Sequence, residues 1–100
     1  MSNENNFYAS FISISKTKIK EAFVSNGWVQ RMANWTDFEL NNDWSELTLE
    51  GDENEPLLNG KVTFHQSNID ILNKIFNELE AQYFYEFYDE HKKLILEKKN

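Results

Sequence analysis

Between Trp28 and Phe64 the chain is cut into four short runs of strand-forming residues: Trp28–Met32, Trp35–Leu40, Trp44–Glu50 and Leu57–Phe64. Asparagine, aspartate, glycine and proline separate them, and each run is too short for a core helix but long enough for a strand. This punctuation predicts an antiparallel meander. Within it, Gly51–Pro56 reads as the clearest loop, polar throughout until a proline that cannot donate to a ladder.

The flanking segments set the fold class. Phe7–Ile14 is short, aromatic and β-branched, which favours a strand. Ser15 or Thr17 then caps a helix over residues 16–26, whose stripe of Ile19, Ala22 and Phe23 ends where Gly27 takes a left-handed conformation. A second helix starts at a Ser67 or Asn68 cap and buries Ile69, Leu72, Ile75, Phe76 and Leu79, with Asp70 in its first turn. Beyond Leu79, the positions Tyr83, Phe87, His91 and Leu94 continue the helical stripe, whereas Tyr83–Asp89 and Leu94–Lys98 make two strands of a hairpin. The hairpin is preferred, because aromatics at 83, 84, 85, 87 and 88 would crowd most sides of a helix. Against it, the turn Glu90–Lys93 lacks the glycine of a tight hairpin. The expected fold is α+β: an antiparallel sheet, meander plus C-terminal hairpin, with two helices packed on one face. One hundred residues give room for one core, so residues 7–100 are expected to form a single domain behind a polar, disordered lead of residues 1–6.

Composition removes several functions. A net charge of −7 disfavours nucleic acid and anionic membranes as partners. The absence of cysteine removes disulfides, thiolate metal sites and a cysteine nucleophile, and fits a reducing cytoplasm. Residues 1–14 have neither the basic start nor the unbroken apolar stretch of a signal peptide, and thirteen asparagines beside nine lysines and one arginine fit an AT-rich bacterial coding sequence. Gly27, Gly51 and Gly60 are too dispersed for a phosphate-binding loop, and His65 and His91 have no metal-ligand spacing. Ser67 and Asp70 near His65 read as helix capping, with no nucleophile elbow around them. Asp52, Asn54 and Glu55 resemble a calcium loop only until Pro56 and Leu57 fall where it needs an oxygen ligand and a glycine. The expectation is a protein without cofactor, metal or catalytic residues.

What stands out is where the charge sits. Residues 32–56 carry eight acids and no base. If residues 35–40 and 44–50 are strands, alternation sends Phe38, Leu40, Leu47 and Leu49 to one face and Trp35, Asp37, Glu39, Trp44, Glu46 and Glu50 to the other. The ordinary reading is a solvated acidic face, with Trp35 and Trp44 closing the edge of the sheet. The functional reading is a partner-binding patch of Trp35, Asp37, Glu39, Asp43, Trp44, Glu46, Glu50, Asp52 and Glu53, extended by Phe84, Tyr85 and Tyr88. Aromatic anchors would supply affinity there, and the negative field would speed encounter with a basic protein.

The segments Asn26–Trp28, Trp35–Leu40, Trp44–Glu50, Pro56–Gly60 and Tyr83–Asp89 carry a general resemblance. In size, acidity, α+β pattern and lack of catalytic groups, the chain resembles the small acidic immunity proteins of contact-dependent and other polymorphic bacterial toxin systems. The resemblance implies a cytoplasmic inhibitor that neutralises a cognate toxin, foremost a nuclease, by covering its active site; it assigns no residue a role. The alternative expectation is a small homo-oligomeric structural or adaptor domain, such as a homodimer paired through exposed strand edges.

Overall fold

The computed structural model describes residues 5–99. Seven strands and two helices alternate as β1 (Phe7–Ile12), α1 (Lys16–Ser25), β2 (Val29–Met32), β3 (Phe38–Asn42), β4 (Ser45–Asp52), β5 (Glu55–Val62), α2 (Gln66–Glu78), β6 (Gln82–Tyr88) and β7 (Leu94–Lys99). All strands join one sheet in the order β2-β3-β4-β5-β1-β6-β7, and every pairing is antiparallel. The fold is therefore the expected α+β meander with a C-terminal hairpin. β1 is the joint, lying between β5 and β6 and pairing with both.

Among the described residues one face of the sheet is covered by the helices and the other is not. Phe7, Ala9 and Phe11 of β1 alternate inward, as do Leu47 and Leu49 of β4, Leu58 of β5, and Tyr83, Tyr85 and Phe87 of β6. The helices deliver Ile19 and Phe23 from α1, and Ile69, Leu72, Ile75 and Phe76 from α2, to the same core. Aromatic rings knit the two layers together: Phe76 lies 5.4 Å from Phe11, 5.3 Å from Tyr83 and 6.1 Å from Phe23. The hydroxyls of Tyr83 and Tyr85 would be costly to bury alone. They donate to Asn77 and Asn73 of α2, at 3.0 and 2.6 Å, so asparagines one helical turn apart match tyrosines two residues apart on a strand. Tyr85 is thus core, which corrects its placement in the outward patch; Phe84 and Tyr88 do face outward, half-buried.

Local signals explain most boundaries. Ser15 Oγ accepts the Lys18 N–H at 3.1 Å as N-cap of α1, and Gly27 at φ +103° ends the helix while Trp28 N–H returns to the Phe23 carbonyl. The cap of α2 is His65, not Ser67 or Asn68: its Nδ1 accepts the Ser67 N–H, and the helix begins two or three residues earlier than expected. Asp70 therefore lies beyond the first turn and pairs with Gln66 at 2.8 Å.

Gly51–Pro56 is not a loop. The ladder continues through Gly51↔Pro56 and Asp52↔Glu55, leaving a two-residue turn at 53–54, because Pro56 stands where no ladder N–H is missed. The β6–β7 turn forms without glycine. Asp89 Oδ1 accepts the N–H groups of His91 and Lys93, and Lys92 adopts φ +66°. Of the expected disordered lead, Met1–Glu4 lie outside the described residues. Asn6 is tied into the sheet through Val62, Gly60 and Tyr88. No helix of the described residues is long and apolar enough to cross a membrane.

Candidate functional site

The covered face of the sheet closes, at the end where α1 begins, over an unusual lysine. Lys16 opens α1 in register with Ile19 and Phe23, so its side chain enters the core-facing stripe and is only 4% exposed. Its ammonium donates to the carbonyls of Thr36 and Gly51 (2.8 Å to the latter) and to Asp37 Oδ1 at 3.1 Å. The turn between β4 and β5 completes the joint. The Glu53 carbonyl accepts the Lys16 N–H at 2.9 Å and the Glu53 carboxylate accepts the Thr17 N–H at 3.1 Å, satisfying free donors at the helix start.

This joint braces the connection from β2 to β3. Asn34 Oδ1 accepts the N–H groups of Thr36 and Asp37, each at 2.9 Å, and the Ala33 N–H meets the Asp37 carbonyl at 2.9 Å. The hydrogen bond from Asn34 and then that from Lys16 hold the Asp37 carboxyl below its usual range. At the tip of this closed, pinned loop stands Trp35, 97% exposed.

The nine sequence-derived candidates do not share one face. Trp35, Asp37, Asp52 and Glu53 gather around the Lys16 joint. Glu39, Glu46 and Glu50 lie on the uncovered face of the sheet, as alternation predicts, Glu39 paired with Arg31 at 3.1 Å and Glu50 accepting from Asn59 at 2.7 Å. Asp43, Trp44 and Glu46 sit at the opposite end of β3 and β4. There they line an open cleft of about 680 Å³ with Lys61, Tyr88 and His91. Asp37, Glu39, Glu50 and Glu53 thus have internal work, while Asp43, Asp52 and Glu46 are exposed, Glu46 opposite Lys61 on β5.

Neither tryptophan obeys strand alternation, because neither is inside a strand. Asparagine side chains capture the backbone beside each one: Asn34 closes the Trp35 loop, and Asn42 accepts the Trp44 N–H at 3.1 Å and the Ser45 hydroxyl at 2.7 Å. Trp44 is half-buried with its ring 5.1 Å from Trp28, whose indole N–H donates to Ser45 Oγ at 2.9 Å. Lys16 escaped the sequence reading, although its spacing from Ile19 and Phe23 was the available signal. Among the described residues no three His, Asp or Glu side chains converge to hold a metal ion. Comparison of the chain with family models, with curated proteins and with solved structures finds no match.

Proposed function

We propose that the chain is an inhibitor of the immunity-protein type, binding a basic toxin domain, foremost a nuclease, through the Trp35 loop and the carboxylates beside it. The observation that carries this reading is a tryptophan 97% exposed on a loop whose backbone is already fixed. A tryptophan buries about 150–250 Å² on docking, worth roughly 4–6 kcal/mol gross at ~25 cal/mol per Å². A loop braced by Lys16 and Asn34 loses little entropy in the process, so more of that gain reaches affinity. Asp52 is exposed, follows the Gly51 that shares the Lys16 ammonium with Thr36, and adds to the negative field that draws a cationic surface in. No bond-making chemistry is asked of the chain: carboxylates placed where substrate phosphates would lie suffice to block a nuclease cleft.

Co-expression with the domain encoded by the neighbouring gene, which this reading expects to be a basic toxin, tests it. Growth should be rescued, and Trp35→Ala should speed dissociation of the purified complex by ~30-fold or more, the scale of an interface hot spot. Asp52→Lys should slow association and flatten its salt dependence. Absence of rescue, or a Trp35→Ala complex as long-lived as the original, rejects it.

A further inference from the structure

The uncovered face of the sheet is built unlike a solvated one. Antiparallel sheets with one wet face normally alternate apolar inward and polar outward. Here β1 and β5, near the middle of the sheet, turn Tyr8, Ile12 and Leu57 to solvent at 41, 61 and 45% exposure. In cross-strand register the half-buried Ser10 lies between Leu57 and Phe84, and Tyr8 and Ile12 flank it on β1, so the apolar residues of three strands gather around one serine. Carboxylates border it on both sides: Glu50 is the register partner of Leu57, and Glu86 that of Tyr8, with Glu97 beyond it on β7. Bases share this face with the carboxylates, and Lys92 lines a hollow beside Tyr8 and Glu86. Arg31 pairs with Glu39, Lys61 stands opposite Glu46, and Lys99 lies over the Phe84 ring at 5.9 Å.

The charge decides what such a surface accepts. Two copies stacked face to face would bring Glu50, Glu86 and Glu97 against the same set, and like charges at an interface cost several kcal/mol. We infer that this face is a second recognition surface for the same toxin domain, taking from it a flat apolar patch bordered by lysines and arginines. The inference rests on the proposed function and adds to it the chemistry of the partner's contact surface. Continuity supports it: the Trp35 loop runs into β3 at Phe38, opposite Leu49, and the next row of the ladder is Glu50 and Leu57.

The test measures binding of the domain encoded by the neighbouring gene, the basic toxin this reading expects, to four proteins: the unchanged chain, Trp35→Ala, the pair Ile12→Arg with Leu57→Arg, and the pair Ile12→Ala with Leu57→Ala. The arginine pair should weaken binding by ~100-fold and the alanine pair by ~10-fold, with thermal melting showing both folded. Should the arginine pair fail to fold, the alanine pair alone decides, since it only trims exposed side chains. Loss with Trp35→Ala but wild-type affinity in the sheet-face variants overturns this inference and leaves the proposed function standing. Wild-type affinity in every variant, or no complex at all, overturns both. A dimer seen by light scattering at tens of micromolar and dispersed by the arginine pair also overturns it, because the occupant is then a second copy.

Discussion

Replacing Lys16 by methionine keeps the aliphatic stem and removes the ammonium that ties α1, the Trp35 loop and the β4–β5 turn together. The Thr36 and Gly51 carbonyls lose the ammonium as donor, and the Asp37 carboxylate keeps the Asn34 and Thr36 donors but loses its counter-charge. Removing one partner from a buried ion pair costs ~3–5 kcal/mol, because the remaining charge stays unpaired. Asp37 is 20% exposed, so water recovers part of that loss and about 3 kcal/mol is the expected figure. At a urea m-value near 2 kcal/mol/M, the unfolding midpoint should fall by about 1.5 M with m unchanged. Asp37→Asn leaves the ammonium both carbonyls and should cost only about 1 kcal/mol, with a clear coupling between the two substitutions in a double-mutant cycle. The linkage to pH has a definite sign. Asp37 is held below its ordinary value by the Asn34 hydrogen bond and then by Lys16. Its contribution is therefore full above the unfolded carboxyl pKa of about 3.9 and is lost as pH falls through the lower folded value. In Lys16→Met that acid-side loss should begin at higher pH. The Thr36 and Asp37 amides should also exchange with solvent faster as the loop loosens. A loss under 1 kcal/mol, or a 3 kcal/mol loss that leaves those two amides as protected as before, would refute the bracing role of Lys16.

Three further outcomes follow from particular contacts. A Cβ at Gly60 would overlap the Glu46 carbonyl oxygen and stand 2.9 Å from Leu47 Cα, so Gly60→Ala should cost about 3 kcal/mol or more; a melting temperature within a few degrees of the original refutes the close approach. Lys92 holds φ +66° on an exposed turn, and Lys92→Gly should relieve about 1 kcal/mol and raise the melting temperature by about 4–8 °C, measured by calorimetry. Burial pushes the Tyr85 phenol from 10.0 up to about 12, reinforced by neighbouring Tyr83. A raised folded value means the stability is full below pH 10 and lost as pH rises toward 12, a window worth about 2–3 kcal/mol. Absorbance titration should show Tyr85 ionising only together with unfolding, and removal of that step by Tyr85→Phe would confirm the residue.

The patterning of residues 28–64 and the alternation of Tyr83, Tyr85 and Phe87 suffice to specify strands, and the stripe of Ile69, Leu72, Ile75 and Phe76 suffices for α2, because these are periodicities of one segment against one core. Gly27 marks the end of α1 for an equally local reason, its backbone freedom. The α+β class, the hairpin at the C-terminus and the acidity of residues 32–56 were legible on those grounds. Other features needed the third dimension. That β1 joins meander to hairpin depends on pairings more than fifty residues apart in sequence, such as Tyr8 with Asn59. Backbone N–H groups donating to the side-chain oxygens of Asn34 and Asn42 took Trp35 and Trp44 out of the strand period and so divided the expected patch between two ends of the sheet. Lys16 became a buried brace only because three separated segments bring it two carbonyls and a carboxylate. Periodicity acts between neighbours along the chain and can be read there; the partner of a buried charge is chosen by packing, and that choice is made only when the segments meet.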